Sequence, residues 1–134
     1  MKCNGPKRTA PTGAVRSPIG VKHTLENLDC QYGIELPDVG KVVMIKFIYF
    51  ELEPEYGNKG CILDSLEIFD GEETNDESSL GKFCGSTLPP KLVSTSNKVT
   101  LLFHTDSDGN FDGFHLEWES IHPESKYIIQ ILCG

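Results

Sequence analysis

Lys41-Val42-Val43-Met44-Ile45-Lys46-Phe47-Ile48-Tyr49-Phe50-Glu51-Leu52-Glu53 is the stretch that decides the fold. Val43, Ile45 and Phe47 alternate with Met44 and Lys46, the period of two expected of a strand with one buried face. The alternation slips at Ile48-Tyr49, and Phe50 and Leu52 then resume it in the opposite phase. A slip of that kind predicts a β-bulge. The run is too short for a membrane helix, which needs about eighteen or more apolar residues, and Lys46 interrupts it.

The same pattern recurs on both sides. Cys30-Gln31-Tyr32-Gly33-Ile34-Glu35-Leu36 alternates and stops at Pro37-Asp38. Leu66 and Ile68 alternate before the turn Asp70-Gly71. Phe83, then Leu92, then Val99, Leu101 and Phe103 mark further strands, and Phe114, Leu116 and Trp118 mark the last regular one. No segment sustains the three-and-four spacing of a helix. The expected fold is all-β, an antiparallel β-sandwich of jelly-roll type with about eight to ten short strands. Residues 4 to 13 read as a loose entry segment. Gly71 to Ser79 carries four carboxylates and no large apolar side chain, and reads as a solvated loop. Tyr127 to Leu132 reads as a strand or as the lead-in to another domain.

The chain has 134 residues, enough for one domain with a real core. Its net charge of −8 suits neither nucleic acid nor an anionic membrane, both of which attract Lys and Arg. It favours cations or the basic side chains of a protein partner. Met1-Lys2-Cys3 leads into polar sequence with no signal-peptide pattern. That leaves a trimmed piece of a longer secreted chain or a cytosolic protein. The five cysteines, Cys3, Cys30, Cys61, Cys84 and Cys133, favour secretion, and none forms a CxxC pair. Sequential bridges Cys3–Cys30 and Cys61–Cys84 are expected, against the alternative of free thiols in a cytosolic domain. Cys133 is left over and fits the next module of a longer chain.

Three acidic residues stand at the ends of these apolar runs. Glu53 closes Phe50-Glu51-Leu52-Glu53, Asp64 follows Cys61-Ile62-Leu63, and Asp106 follows Phe103-His104-Thr105. Ca²⁺ takes about six to eight oxygen ligands, which carboxylates and carbonyls supply. If the three converge, they make a Ca²⁺ site at one end of a sheet.

Taken in order, these pieces resemble the CUB domain, an extracellular β-sandwich module. The resemblance runs from Cys3 to about Ser120. It is carried by Cys30-x-Tyr32-x-Ile34 and by Val43-x-Ile45-x-Phe47-x-x-Phe50-x-Leu52-Glu53. It continues through Cys61-x-x-Asp64-x-Leu66-x-Ile68-x-Asp70-Gly71 and Gly81-x-Phe83-Cys84-Gly85, and closes on Val99-x-Leu101-x-Phe103-x-x-Asp106 and Gly113-Phe114. The resemblance implies a domain over residues 1–120, with 121–134 a connector and Cys133-Gly134 like the start of another module. It implies that Glu53, Asp64 and Asp106 hold Ca²⁺, with Ser107, Asp108 and Asn110 as candidates to complete the shell. It also implies that a partner Lys or Arg pairs with those same three carboxylates. Two departures stand out. Leu63 is found where the family usually has Tyr. The longer loop Pro54 to Gly60 could re-aim Glu53 or offer Glu55 in its place.

Catalysis finds no support. The histidines His23, His104, His115 and His122 lie in no HExxH motif, and no Gly-x-Ser-x-Gly elbow is present. His104 and His115 would make a zinc pair only if their strands were neighbours. Glu51, Glu53 and Asp64 could be drawn as glycosidase acids, but cation binding explains them more simply. The expected function is extracellular, Ca²⁺-dependent protein binding of the receptor or adhesion type. The alternatives are a non-catalytic substrate-targeting domain of a secreted protease and a free-standing secreted binder.

Overall fold

The computed structural model describes residues 3–18, 26–107 and 111–125. Two four-stranded antiparallel sheets face each other. The first has the order β1 (Thr12–Arg16), β8 (Gly113–Ile121), β3 (Val42–Glu51), β6 (Leu92–Val93). The second has the order β2 (Asp29–Glu35), β7 (Lys98–His104), β4 (Ser65–Asp70), β5 (Ser79–Phe83). The all-β expectation holds. His23, Tyr127 to Leu132 and Cys133 lie outside the described residues.

The core follows from the alternation. Val43, Ile45 and Phe47 point inward from β3 and meet Ile34, Leu66, Ile68, Leu101 and Phe103 from the other sheet. The pairing of β3 with β8 shifts register between Phe47 and Tyr49, the bulge predicted from the slip in phase. The shift leaves Ile48 and Tyr49 facing water and returns Phe50 and Leu52 to the interior. Across the core, Phe103 and Phe114 meet edge to face at 5.0 Å, an arrangement that places a ring's positive edge on its neighbour's negative face.

Trp118 is buried, and its indole N–H donates to the Ala10 carbonyl at 3.1 Å. Gly13 pairs with it across β1 and β8, and a Cβ there would collide with the indole ring.

Two disulfides close the chain, Cys3–Cys30 and Cys61–Cys84, with sequence separations of 27 and 23. In the loop-entropy account each contributes roughly 3–4 kcal/mol. The first fastens an N-terminal strap beside β2. Arg8 there exchanges backbone hydrogen bonds with Gly33 and Glu35 and lays its guanidinium over the Tyr32 ring at 5.2 Å.

The loop after β4 is more engaged than its composition suggested. Glu72 pairs with Lys7 and with Lys98, both at 3.1 Å. Lys7 also reaches Glu35 at 2.9 Å. Asn75 caps a short 3-10 helix, Asp76–Ser78, by accepting from the Ser78 N–H.

Candidate metal centre

Glu53 follows the last residue of β3 by two positions, Asp64 immediately precedes β4, and Asp106 follows β7 by two. Strands β4 and β7 are neighbours, with Ser65 paired to His104, so Asp64 and Asp106 leave the same end of one sheet. Glu53 arrives from the other sheet. One carboxylate oxygen from each of the three lies within 4.8 Å of the others. The convergence read from the sequence is therefore present.

Asp64 is the hub. Its side chain is sealed in, with the residue 1% exposed. One oxygen accepts from the Glu53 N–H at 3.0 Å, and the other accepts from the Asp106 N–H at 3.1 Å. Burial pushes its carboxyl above the ordinary value, because the charged form has lost water. The two backbone donors pull it back down, the charge of Asp106 pushes it up, and His104 lowers it. Among the described residues no Lys or Arg forms an ion pair with Asp64.

The surrounding backbone fixes the three ends. The Leu52 N–H donates to the Gly85 carbonyl at 2.9 Å, and the Gly85 N–H donates back to Glu53 at 3.3 Å. Gly85 has a φ of +83°, a region that an L side chain rarely adopts, and it directly follows the bridged Cys84. On the other side, the Asn27 N–H donates to the Asp106 carbonyl at 2.7 Å. The buried Thr105 hydroxyl accepts from the Leu28 N–H at 2.9 Å. Sequence reading missed these supports. The Cys84-Gly85 pair was the one signal available for the first, and the second had none.

The other expected residues fall as follows. Ser107 is exposed and adjoins Asp106. Asp108 and Asn110 lie outside the described residues. Glu55 lies instead beside the Cys61–Cys84 disulfide, whose sulfurs are spent as ligands, so the long loop leaves Glu53 in the cluster. Glu51 turns away and accepts from the Asp112 N–H at 3.3 Å, while the Tyr49 hydroxyl donates to the Asp112 carboxylate at 2.9 Å. Partial desolvation of the phenol and this hydrogen bond push Tyr49 up to about 12. His104 pairs with Asp29 at 2.7 Å, and His115 is in the other sheet, so the two do not face each other as a zinc pair.

The donor set suits a hard divalent cation. It offers carboxylate oxygens only, brings them together in part-buried positions, and holds one of them by main-chain N–H groups that leave further lone pairs open. A cation would offset both the repulsion between the three charges and the desolvation of Asp64.

The CUB domain family model matches residues 3–118. Human cubilin is 35% identical over 113 residues, which is 84% of this chain and 3% of cubilin. The chain thus spans a small part of the length of that relative. Among solved structures, the MASP-1 CUB2 domain bound to Ca²⁺ matches with a TM-score of 0.73 and 27% identity, over 87% of this chain and 99% of that one. The full extracellular region of zebrafish Gpr126/Adgrg6 matches with a TM-score of 0.69 and 29% identity, over 91% of this chain and 15% of that one.

Proposed function

The chain belongs to the CUB-domain family, and from that membership we propose that its acidic end binds Ca²⁺ and, through it, an extracellular protein partner. The setting is extracellular: the domain is stapled by two disulfides, and a similar domain forms part of the extracellular region of Gpr126/Adgrg6. The observation that carries the reading is the convergence of Glu53, Asp64 and Asp106, with Asp64 buried between two backbone donors. The Ca²⁺-bound MASP-1 CUB2 domain supports the choice of cation. We assign Glu53, Asp64 and Asp106 to the metal, and Ser107, Asp108 and Asn110 to the rest of its shell. The ion would supply a fixed positive charge that holds the strand ends together.

The role of the chain's own residues follows from charge. Three carboxylates outweigh a divalent cation, so the end stays negative and attracts a partner Lys or Arg. A carboxylate oxygen can accept from an ammonium or guanidinium while it faces the metal, and both contacts strengthen as water leaves. Nothing in this scheme breaks or forms a covalent bond. The module binds rather than catalyses, in a receptor or adhesion role. On this reading residues 1–120 are the module, whose last strand runs one residue further to Ile121, and 121–134 are a connector.

The test is the chemical-shift response of the isotope-labelled domain to N-acetyl-lysine amide, in Ca²⁺ and in chelator. The amides of Glu53 and Asp106 should respond in Ca²⁺ alone, and Asp64→Ala should silence them. An equal response in chelator, or none in either condition, would place the binding face elsewhere.

A further inference from the structure

The outer face of the β2-β7-β4-β5 sheet is divided in two. On the half far from the acidic cluster, Phe69 and Thr100 point outward yet are buried. The chain that follows β4 covers Thr100, whose hydroxyl donates to the Gly71 carbonyl at 2.8 Å. Among the described residues nothing covers the half next to the cluster, and a groove of about 570 Å³ crosses it. That volume lies within the roughly 300–1,000 Å³ of ordinary ligand sites.

We propose that this groove is a second recognition subsite, continuous with the acidic cluster. It would take an extended segment of a protein partner with a basic residue at the cluster and an apolar side chain beside Leu102 and Ile62. The inference rests on the cation-and-lysine reading above and specifies the partner for it.

Continuity is built into the strands. Ser65 of the groove directly follows Asp64, and His104 stands two residues before Asp106. A chain anchored by a basic side chain at the cluster therefore meets the groove next. Its apolar part is Leu102, on the outer face of β7, and Ile62, which is 51% exposed. Charge is complementary as well. Among the described residues of the lining, Asp29, with His104 at 2.7 Å from it, and Glu67 outnumber the cationic Lys82, so the groove prolongs the negative field of the cluster.

The walls are held in advance. Cys30 and Cys61 both line the groove, one from each disulfide. The Cys3–Cys30 bridge fastens the segment that contributes Asn4, whose side chain accepts from the Gln31 N–H at 2.7 Å. The Cys61–Cys84 bridge fastens the wall that carries Ile62. Walls fixed by covalent links need little ordering when a ligand enters, and that saves binding free energy.

The probes are N-acetyl-lysine amide and two peptide series in Ca²⁺. One series carries Lys and Leu separated by roughly one to four glycines, to span the reach of an extended chain at about 3.3–3.6 Å per residue. In the other, Gly replaces Leu. At one spacing the Leu peptide should bind at least fivefold tighter than its Gly counterpart, and it alone should shift the amides of Gln31, Leu102 and Lys82. Ile62→Ser and Leu102→Gln should each erase that gain and keep the weaker binding of the Gly peptide. Ile62 is exposed, so its replacement leaves the core intact, and melting curves check both variants. No gain at any spacing, or a gain that survives both substitutions, overturns the proposal. If the lysine amide leaves the Glu53 and Asp106 amides unmoved, the cation reading itself falls. Groove shifts without cluster shifts would overturn the continuity alone.

Discussion

At Asp64, on the proposed reading, a proton and a cation would compete for the same two oxygens. Burial raises its folded-state value above the ordinary 3.8. Without a cation, this group adds stability below its ordinary value, and that contribution is lost as pH rises through the folded one. Ca²⁺ requires the ionised form, so the sign reverses when metal is present. We expect Ca²⁺ to raise the melting temperature by several degrees near neutral pH, since about 100 times Kd of a ligand contributes about 2.7 kcal/mol. The shift should shrink as pH falls into the range just above the ordinary carboxylate value, and Asp106→Ala should abolish it. Identical melting curves in Ca²⁺ and chelator at neutral pH would make the acidic trio a solvated rim. The three carboxylates were legible because each sits beside an apolar run whose direction places its end. The backbone donors that orient Asp64 were not legible. Every residue type except proline supplies a backbone N–H, so no letter of the sequence marks the amides of Glu53 and Asp106.

Among the elements, the strands from β2 onward and the bulge of β3 could be read directly, because alternation records which face is buried; β1 could not, and its Thr12 and Gly13 read as part of a loose entry segment. Pairing could not be read either. Nothing in Thr12 to Arg16 says that β1 lies against β8 rather than against β2. That pairing is a matter of fit, with Gly13 leaving room for the Trp118 ring. Gly13→Ala should therefore destabilise the domain by about 1–3 kcal/mol, the usual cost of overpacking a filled core. Urea denaturation would measure it, and a midpoint unchanged from the parent would mean that Trp118 shifts freely. The loop after β4 shows the opposite limit of sequence reading. Its carboxylates looked solvated by composition, yet Glu72 is held between Lys7 and Lys98, which lie far from it in sequence. Exposed pairs of this kind are screened by water and contribute little to stability.

Across the whole molecule the two ends of the sandwich differ. One end gathers Glu53, Asp64 and Asp106. The other ties Lys7, Glu35, Glu72 and Lys98 into a mixed-sign network. The disulfides follow the sequential pairing expected for Cys3, Cys30, Cys61 and Cys84, although only β4 and β5 are neighbours both along the chain and within a sheet. The open groove was not legible, since it depends on which half of a sheet face the distant strap and loop happen to cover.

The cluster draws on both sheets, with Glu53 leaving one and Asp64 and Asp106 the other. The three-carboxylate geometry therefore cannot exist until the two sheets have docked, and a chain with one sheet formed offers a cation only the pair Asp64 and Asp106. Time rather than equilibrium then becomes the telling variable. An interaction absent from the transition state acts on the escape from the native state and leaves the approach to it untouched. Stopped-flow measurements should show Ca²⁺ slowing unfolding with the refolding rate unchanged. A faster refolding limb would mean that the strand ends meet early. In the first case the ion works as a latch on a finished domain, prolonging its lifetime where Ca²⁺ is plentiful and shortening it where Ca²⁺ is withdrawn.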